Sequence, residues 1–194
     1  MADSTFDPTE AVTFDLAYGH VHMDGAPNRV LVPSDALVEL CEAAGEEATG
    51  ALGHAIGTAM GRRVAARVAR EGEDRQSAVA RATFELVVEQ LAGELALAGL
   101  GSLAVERWGK AVVFVHDQSP LGERGDALLA EILQAATLAL SNQGGRIVRL
   151  ERSGVRARFL LVGAASVEGV RMRLREGQSW GTVLAKLHRS APPA

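Results

Sequence analysis

One cysteine, Cys41, stands in 194 residues. That excludes an internal disulfide and a cysteine-ligated zinc site, and it is the usage expected of a reducing, cytoplasmic setting. Aromatic residues are scarce at 4%, so alanine, leucine and valine must build the core. Apolar runs such as FLLVGAA (159–165) fall far short of the roughly 20 residues that cross a bilayer, and no membrane span is expected. The opening MADSTFDPTE is acidic and polar, unlike a secretory leader. Neither a Walker loop, a dinucleotide G-x-G-x-x-G after a strand, nor a G-x-S-x-G elbow occurs. Nothing in the pattern demands a metal or other cofactor, and the expectation is a protein that is not an enzyme.

What is present is an ordinary globular composition, 47% hydrophobic and 23% charged, enough for one domain with a sizeable core. A flexible arm over 1–10, a single domain over 11–189 and a tail over 190–194 are expected. The formal net charge of −4 conceals an asymmetry: residues 1–139 carry 10 Lys/Arg against 21 Asp/Glu, and residues 140–194 carry 10 against 3. A basic segment can signal nucleic acid. The acidic remainder would repel phosphate, so charge pairing inside the subunit or between subunits is expected instead.

Periodicity gives the order β-β-α-α-α-β-β-α-β-β-α-α. Residues 11–23 alternate as a half-buried strand, and a second short strand is expected at 29–32. Helices follow over 35–44 and, past Gly45, 46–70. A third over 76–98, capped by Asp74 or Ser77, places Ala80, Phe84, Val87, Val88, Leu91 and Leu95 on one face. A hairpin over 102–117 turns at Gly109, a helix spans 125–141, and a second hairpin turns near Gly154 before two closing helices. Strands arrive as adjacent hairpins, which predicts an α+β fold: an antiparallel sheet with helices packed on one face, including a long glycine-bearing helix.

That helix contains GALGHAIGTAMGRR (50–63). Gly53, Gly57 and Gly61 recur every four residues on nearly one side, although each glycine costs a helix about 1 kcal/mol relative to alanine. A strip without side chains lets another backbone come close: a neighbouring helix of the same subunit, a second subunit, or a ligand, for which His54 beside the strip could be a donor.

Other candidates are weighed against plainer roles. His20 and His22 share a strand face, near Asp15 and Asp24, but spacing fixes no third metal ligand, so a surface position is expected. His116, Asp117 and Ser119 are hydrolase residue types, but neighbours at a strand end do not easily converge, and a strand end with a turn is the plainer reading. His188 reads as a cation at a helix C-terminus. Arg156 and Arg158 share a strand face, and Arg149 can join them across the hairpin. Such a row holds a carboxylate or phosphate, pairs with an acidic partner, or is a solvated sheet face. Trp108, in a turn, and Trp180 are interface candidates, with core packing equally open for Trp180.

Three stretches, GEEATGALGHAIGTAMGRRVAARV, LGSLAVERWGKAVVFVHDQSP and RLERSGVRARFLLVG, together resemble the 4-vinyl-reductase-type domain, a small-molecule-binding domain related to TRAPP vesicle-tethering subunits. The resemblance covers about residues 35–163. It implies an α+β fold, dimerisation through helices, and a pocket between helices and sheet. Many members place cysteines around the late hairpin, where this chain has Leu150 and Arg158, so cysteine-based metal or thiol chemistry is not implied here. Two functions are therefore expected: a non-catalytic regulatory or scaffolding protein acting as a homodimer or with a related subunit, or a domain that senses a small apolar or anionic ligand and switches a partner.

Overall fold

Gly45 decides the shape of the first long element. In the computed structural model, which describes residues 11–23, 26–69, 72–141 and 145–190, helix α1 runs over Ser34–Val68 and is kinked at Gly45, whose φ of 86° and ψ of 177° are non-helical. Positive φ is a conformation that L side chains rarely adopt, so the break expected at this glycine is where the chain makes it. The expected arm over 1–10 and most of the tail lie outside the described residues, as does Asp24.

Before α1 comes a three-stranded antiparallel meander of β1 (Val12–Asp15), β2 (His20–Met23) and β3 (Ala26–Arg29). The single strand expected over 11–23 is thus folded on itself, with the turn at 16–19. The amides of Ala17 and Tyr18 both donate to the Asp15 carboxylate there, which is the local reason for the reversal. The strand expected at 29–32 ends at Arg29 instead.

The expected third helix is two: α2 (Arg75–Arg81) and α3 (Phe84–Leu97), separated by extended backbone at Ala82 and Thr83. Asp74 caps α2 by accepting from the Ser77 amide, and Thr83 caps α3 by accepting from the Leu86 amide. With its own cap, Thr83 starts a new helix although the apolar stripe runs through the break.

Strands β4 (Ser102–Trp108), β5 (Ala111–Asp117), β6 (Gly145–Ser153) and β7 (Arg156–Gly163) form one antiparallel sheet in the order β4-β5-β7-β6. Its two hairpins turn at Gly109 and Gly154, both at positive φ. Helix α4 (Asp126–Ser141) lies between the hairpins in sequence, and α5 (Val167–Arg175) and α6 (Trp180–Ser190) close the fold.

The α+β class and the hairpin-built sheet agree with the sequence reading. One sheet face, with Leu103, Phe114, Ile147 and Phe159, packs under α1, α3 and α4, where Met60, Leu91, Leu95, Leu129 and Ile132 complete the main core. Phe114 and Phe159 are directly paired across β5 and β7, and each is worth about 1.5–3 kcal/mol by burial. Beyond the one helical face expected, the opposite face is also covered: Val113, Val148, Leu150 and Leu160 pack with Val170 of α5 and Val183 and Leu184 of α6.

Candidate functional site

The glycine strip is occupied from within the chain. A Cβ added at Gly53 would stand 2.6 Å from Glu131 Cβ, at Gly57 2.1 Å from the Ile132 carbonyl oxygen, and at Gly61 2.7 Å from the Ala136 carbonyl oxygen. The partner is α4, with Ala135 and Ala139 opposite, so α1 and α4 meet small residue against backbone. The strip is filled by this helix rather than left open to a ligand. His54 points away from the contact and is exposed.

The arginines expected to form one row divide between the two sheet faces. Register shifts between Arg149 and Glu151, so Arg149 pairs with Phe159 while Glu151 pairs with Arg158. One inserted residue reverses the facing of everything beyond it, and Arg149 lands on the face opposite Arg156 and Arg158. There it donates to Asp126 (3.1 Å) and Glu123 (3.3 Å), while Arg152 donates to Asp126 (2.9 Å) and to the Gly122 carbonyl (3.2 Å). Asp126, the first residue of α4, is buried, and the arginine pair and the helix dipole together keep it satisfied. Arg156 grips Asp117 at 2.8–3.1 Å, and its hydrogen bonds hold that carboxyl below its usual range. Arg158 donates to Glu151 (2.7 Å) and Glu106 (3.2 Å) and lies 5.2 Å over the Trp180 ring. Burial pushes the Glu106 carboxyl up, but hydrogen bonds from Trp108 and Arg158 outweigh it and the net shift is downward. Trp108 meets Trp180 edge-on at 5.1 Å, so both tryptophans lie where α6 joins the sheet. All three arginines are engaged in ion pairs within the chain.

His116, Asp117 and Ser119 do not converge. His116 is fully buried on the main-core face, Asp117 belongs to Arg156, and the Ser119 hydroxyl accepts from the Leu121 amide. Neither His116 ring nitrogen reaches hydrogen-bond geometry. Burial lowers its pKa, and Arg152 adds to this; the nearby Leu100 carbonyl and the charges of Asp126 and Asp117 only partly oppose it. It is a neutral core histidine. His20 and His22 stand side by side with rings 5.8 Å apart. Among the described residues no group of three metal-ligating side chains assembles, and the side chain of His188 lies outside them.

Two concavities remain. A cleft of about 760 Å³ opens where α1 kinks, between Glu42, Glu46 and Thr49 on one wall and Arg124, Glu131 and Arg149 on the other. Its arginines are already engaged: Arg149 is held by Asp126 and Glu123, and Arg124 pairs with Glu42 through two nitrogens, which lowers the carboxyl's pKa and raises the guanidinium's.

The second, about 680 Å³, lies beneath α2 and α3. Phe114, Leu91 and Leu140 form a buried floor. Val79 and Ala80 of α2 and Phe84, Val87 and Val88 of α3 form the roof, and α4 contributes Thr137 and Ser141. Its polar groups hold their own hydrogen atoms in place: Thr137 donates to the Leu133 and Gln134 carbonyls (2.9 Å each), Ser141 to the Thr137 carbonyl (2.8 Å), and Ser77 to Asp74 (2.9 Å). On the α4 wall the Thr137 oxygen lone pairs are left to face a guest, and the Gln76 carboxamide of α2 also lines the pocket. At the rim, the Ser77 amide and hydroxyl hold Asp74 below its usual pKa and therefore ionised. The roof is anchored at one corner: Arg107 of β4 lies 4.7 Å over the Phe84 ring and donates to Glu85 (3.0 Å). Deeper, Arg63 and Arg67 of α1 converge on the fully buried Glu94 of α3, with Arg63 Nε at 2.7 Å, which fixes α3 against α1. Helix α2 buries only Ala78 and is the least anchored wall.

The residues of this pocket appear in the sequence as one apolar stripe on a single helix, which reads as core. The signal that separates them is Thr83 followed by the acidic Glu85, a helix start inside the stripe. Glu94 with its two arginines carries no sequence signature.

No protein-family model matches the chain, and no curated protein is similar to it. Among solved structures, the fold is similar to the phenol-responsive sensory domain of the transcription activator PoxR, determined with phenol: TM-score 0.58, 16% identity, 92% of this chain against 99% of that one. The chain therefore shares its α+β fold with a ligand-sensing domain, and among the described residues no helix is long and apolar enough to cross a membrane.

Proposed function

We propose that this chain is a non-catalytic sensory domain that binds a small, neutral, largely apolar molecule beneath α2 and α3 and thereby switches a partner. The observation that carries this reading is the pocket itself. Its volume lies within the roughly 300–1,000 Å³ typical of small-molecule sites, and apolar lining with a few fixed polar atoms is their usual character. The fold likeness to a domain described as phenol-responsive supports the same class of function. It favours ligand sensing over the scaffolding role also expected from the sequence.

The lining selects the ligand. Phe84 and Phe114 offer ring edges and faces to an aromatic guest. The Thr137 lone pairs accept from a hydroxyl. The ionised Asp74 at the rim disfavours an anion, so of the apolar and anionic ligands expected from the sequence the apolar one fits. Binding draws the lightly anchored α2 down onto the guest, and that displacement is the signal.

The test is thermal unfolding with phenol, toluene and benzoate as probes, on the natural chain and on Val87→Trp, which fills the roof. Phenol and toluene raise Tm in the natural chain, benzoate does so less, and Val87→Trp abolishes the gain. No rise with any probe, or an equal rise in the variant, overturns the reading.

A further inference from the structure

Seven of the eleven large apolar side chains left exposed among the described residues fall between positions 14 and 40. Leu16 is 89% exposed, Val30 86%, Tyr18 77% and Leu31 73%, with Phe14, Val32 and Leu40 each more than half exposed. They gather for a topological reason. Arg29 pairs with Val21 and Asp15 with His20, so the turn at 16–19 and the segment from Val30 leave the meander at the same end. The meander itself is two-sided: Val12 with Met23 and Phe14 with Val21 form its apolar face, Thr13 with His22 and Asp15 with His20 its polar one. Only sparse contacts join β1–β3 to the rest of the described fold. On its apolar face Met23 is buried and Val12 and Val21 are half-buried, which leaves Phe14 as the uncovered part; a small sheet needs such a face packed to be stable.

We infer that this surface, formed by the β1–β3 meander and the Val30–Val32 segment, is the seam of a homodimer. The six side chains of this surface at these exposures present roughly 700 Å², more than the few hundred Å² a monomer usually leaves open and close to one partner's share of a standard interface. The patch offers no outward carboxylate at its turn, because Asp15 is engaged with the amides of Ala17 and Tyr18. An apolar patch is self-complementary, as a twofold contact requires. Since α4 fills the glycine strip from within, the expected dimerisation does not use that strip. This inference is independent of the ligand pocket.

Sedimentation velocity from low to high micromolar concentration, on the natural chain and on the double variant Leu16→Lys/Leu31→Glu, tests it. The natural chain dimerises, and the double variant weakens the dimer by at least about 30-fold, the loss expected from removing a hot spot of 2 kcal/mol, with unchanged circular dichroism. Both residues are exposed in the subunit, and Val155→Lys, distant in sequence and also more than half exposed, leaves the dimer intact. A natural chain that stays monomeric overturns the inference, as does a dimer that survives the double variant; either result hands the patch to a different protein. Should the double variant fold poorly, hydrogen exchange on the natural chain decides: amides of β1 and β2 gain protection with concentration, and protection independent of concentration refutes the seam.

Discussion

Gly57 and Ile132 are as close as a helix pair allows: a single methyl group on Gly57 would stand 2.1 Å from the Ile132 carbonyl oxygen. That contact sets the spacing of α1 and α4, and with it the pocket wall that carries Thr137. Gly57→Ala must push the helices apart, and the overpacking outweighs the gain in helix propensity. The expected loss is about 2 kcal/mol in urea unfolding. Gly50, in the same helix, has nothing within 4 Å of such a methyl, so Gly50→Ala raises stability by about 0.5–1 kcal/mol. Equal effects at the two positions would contradict the contact.

Glu94 faces two arginines with no exposure of its own. Glu94→Leu leaves Arg63 and Arg67 without it, and the expected cost is about 3 kcal/mol. Replacing all three residues with apolar side chains of similar size recovers most of that loss, because no charge is then left beside the core. Chemical denaturation of the single and triple variants measures both values.

His116 makes stability fall in mild acid. Folding lowers its pKa from the ordinary 6.5 by burial, so the unfolded chain binds the proton more readily. The contribution is therefore complete above about pH 6.5 and is lost as pH falls below it toward the depressed folded value, with a slope of up to about 1.4 kcal/mol per pH unit. His116→Phe removes that slope between pH 7 and 5. Stability profiles of the two proteins that stay parallel over this interval would show that His116 does not titrate as a buried group.

Asp74 caps α2, the least anchored wall of the pocket. Asp74→Ala removes the acceptor of the Ser77 amide and hydroxyl, so amides of α2 exchange faster, by about 5-fold, as on loss of a typical cap. Because the folded carboxyl titrates below its ordinary value, the difference between variant and natural chain is present above about pH 4 and disappears as pH falls through the folded value.

Periodicity made the main-core helices legible: Leu128, Leu129, Ile132 and Leu133 recur at helical spacing and are buried as read. Gly45 marked a real kink and Gly109 and Gly154 real reversals, because each needs a backbone conformation other residues avoid. Three things were not legible. The stripe from Ala80 to Leu95 keeps its spacing through Ala82–Thr83, which masks the helix start that Thr83 and Glu85 mark and the pocket that replaces one core helix. The bulge at Leu150 depends on pairing with β7, and it alone sends Arg149 to Asp126 and away from Arg158. The strand over 11–23 folds back without a glycine–asparagine turn, through the Asp15 carboxylate. The bulge is decided by a partner strand far along the chain, and the turn by a side chain that an alternating pattern does not single out.

Methyl-resolved NMR of the valine and leucine side chains during titration with phenol tests the central claim most directly. The account predicts shifts confined to Val79, Val87, Val88, Leu91, Leu140 and Leu161 around the pocket. Shifts centred on Val148 and Leu174 beside the α1 kink, or no shifts at saturating phenol, would contradict it.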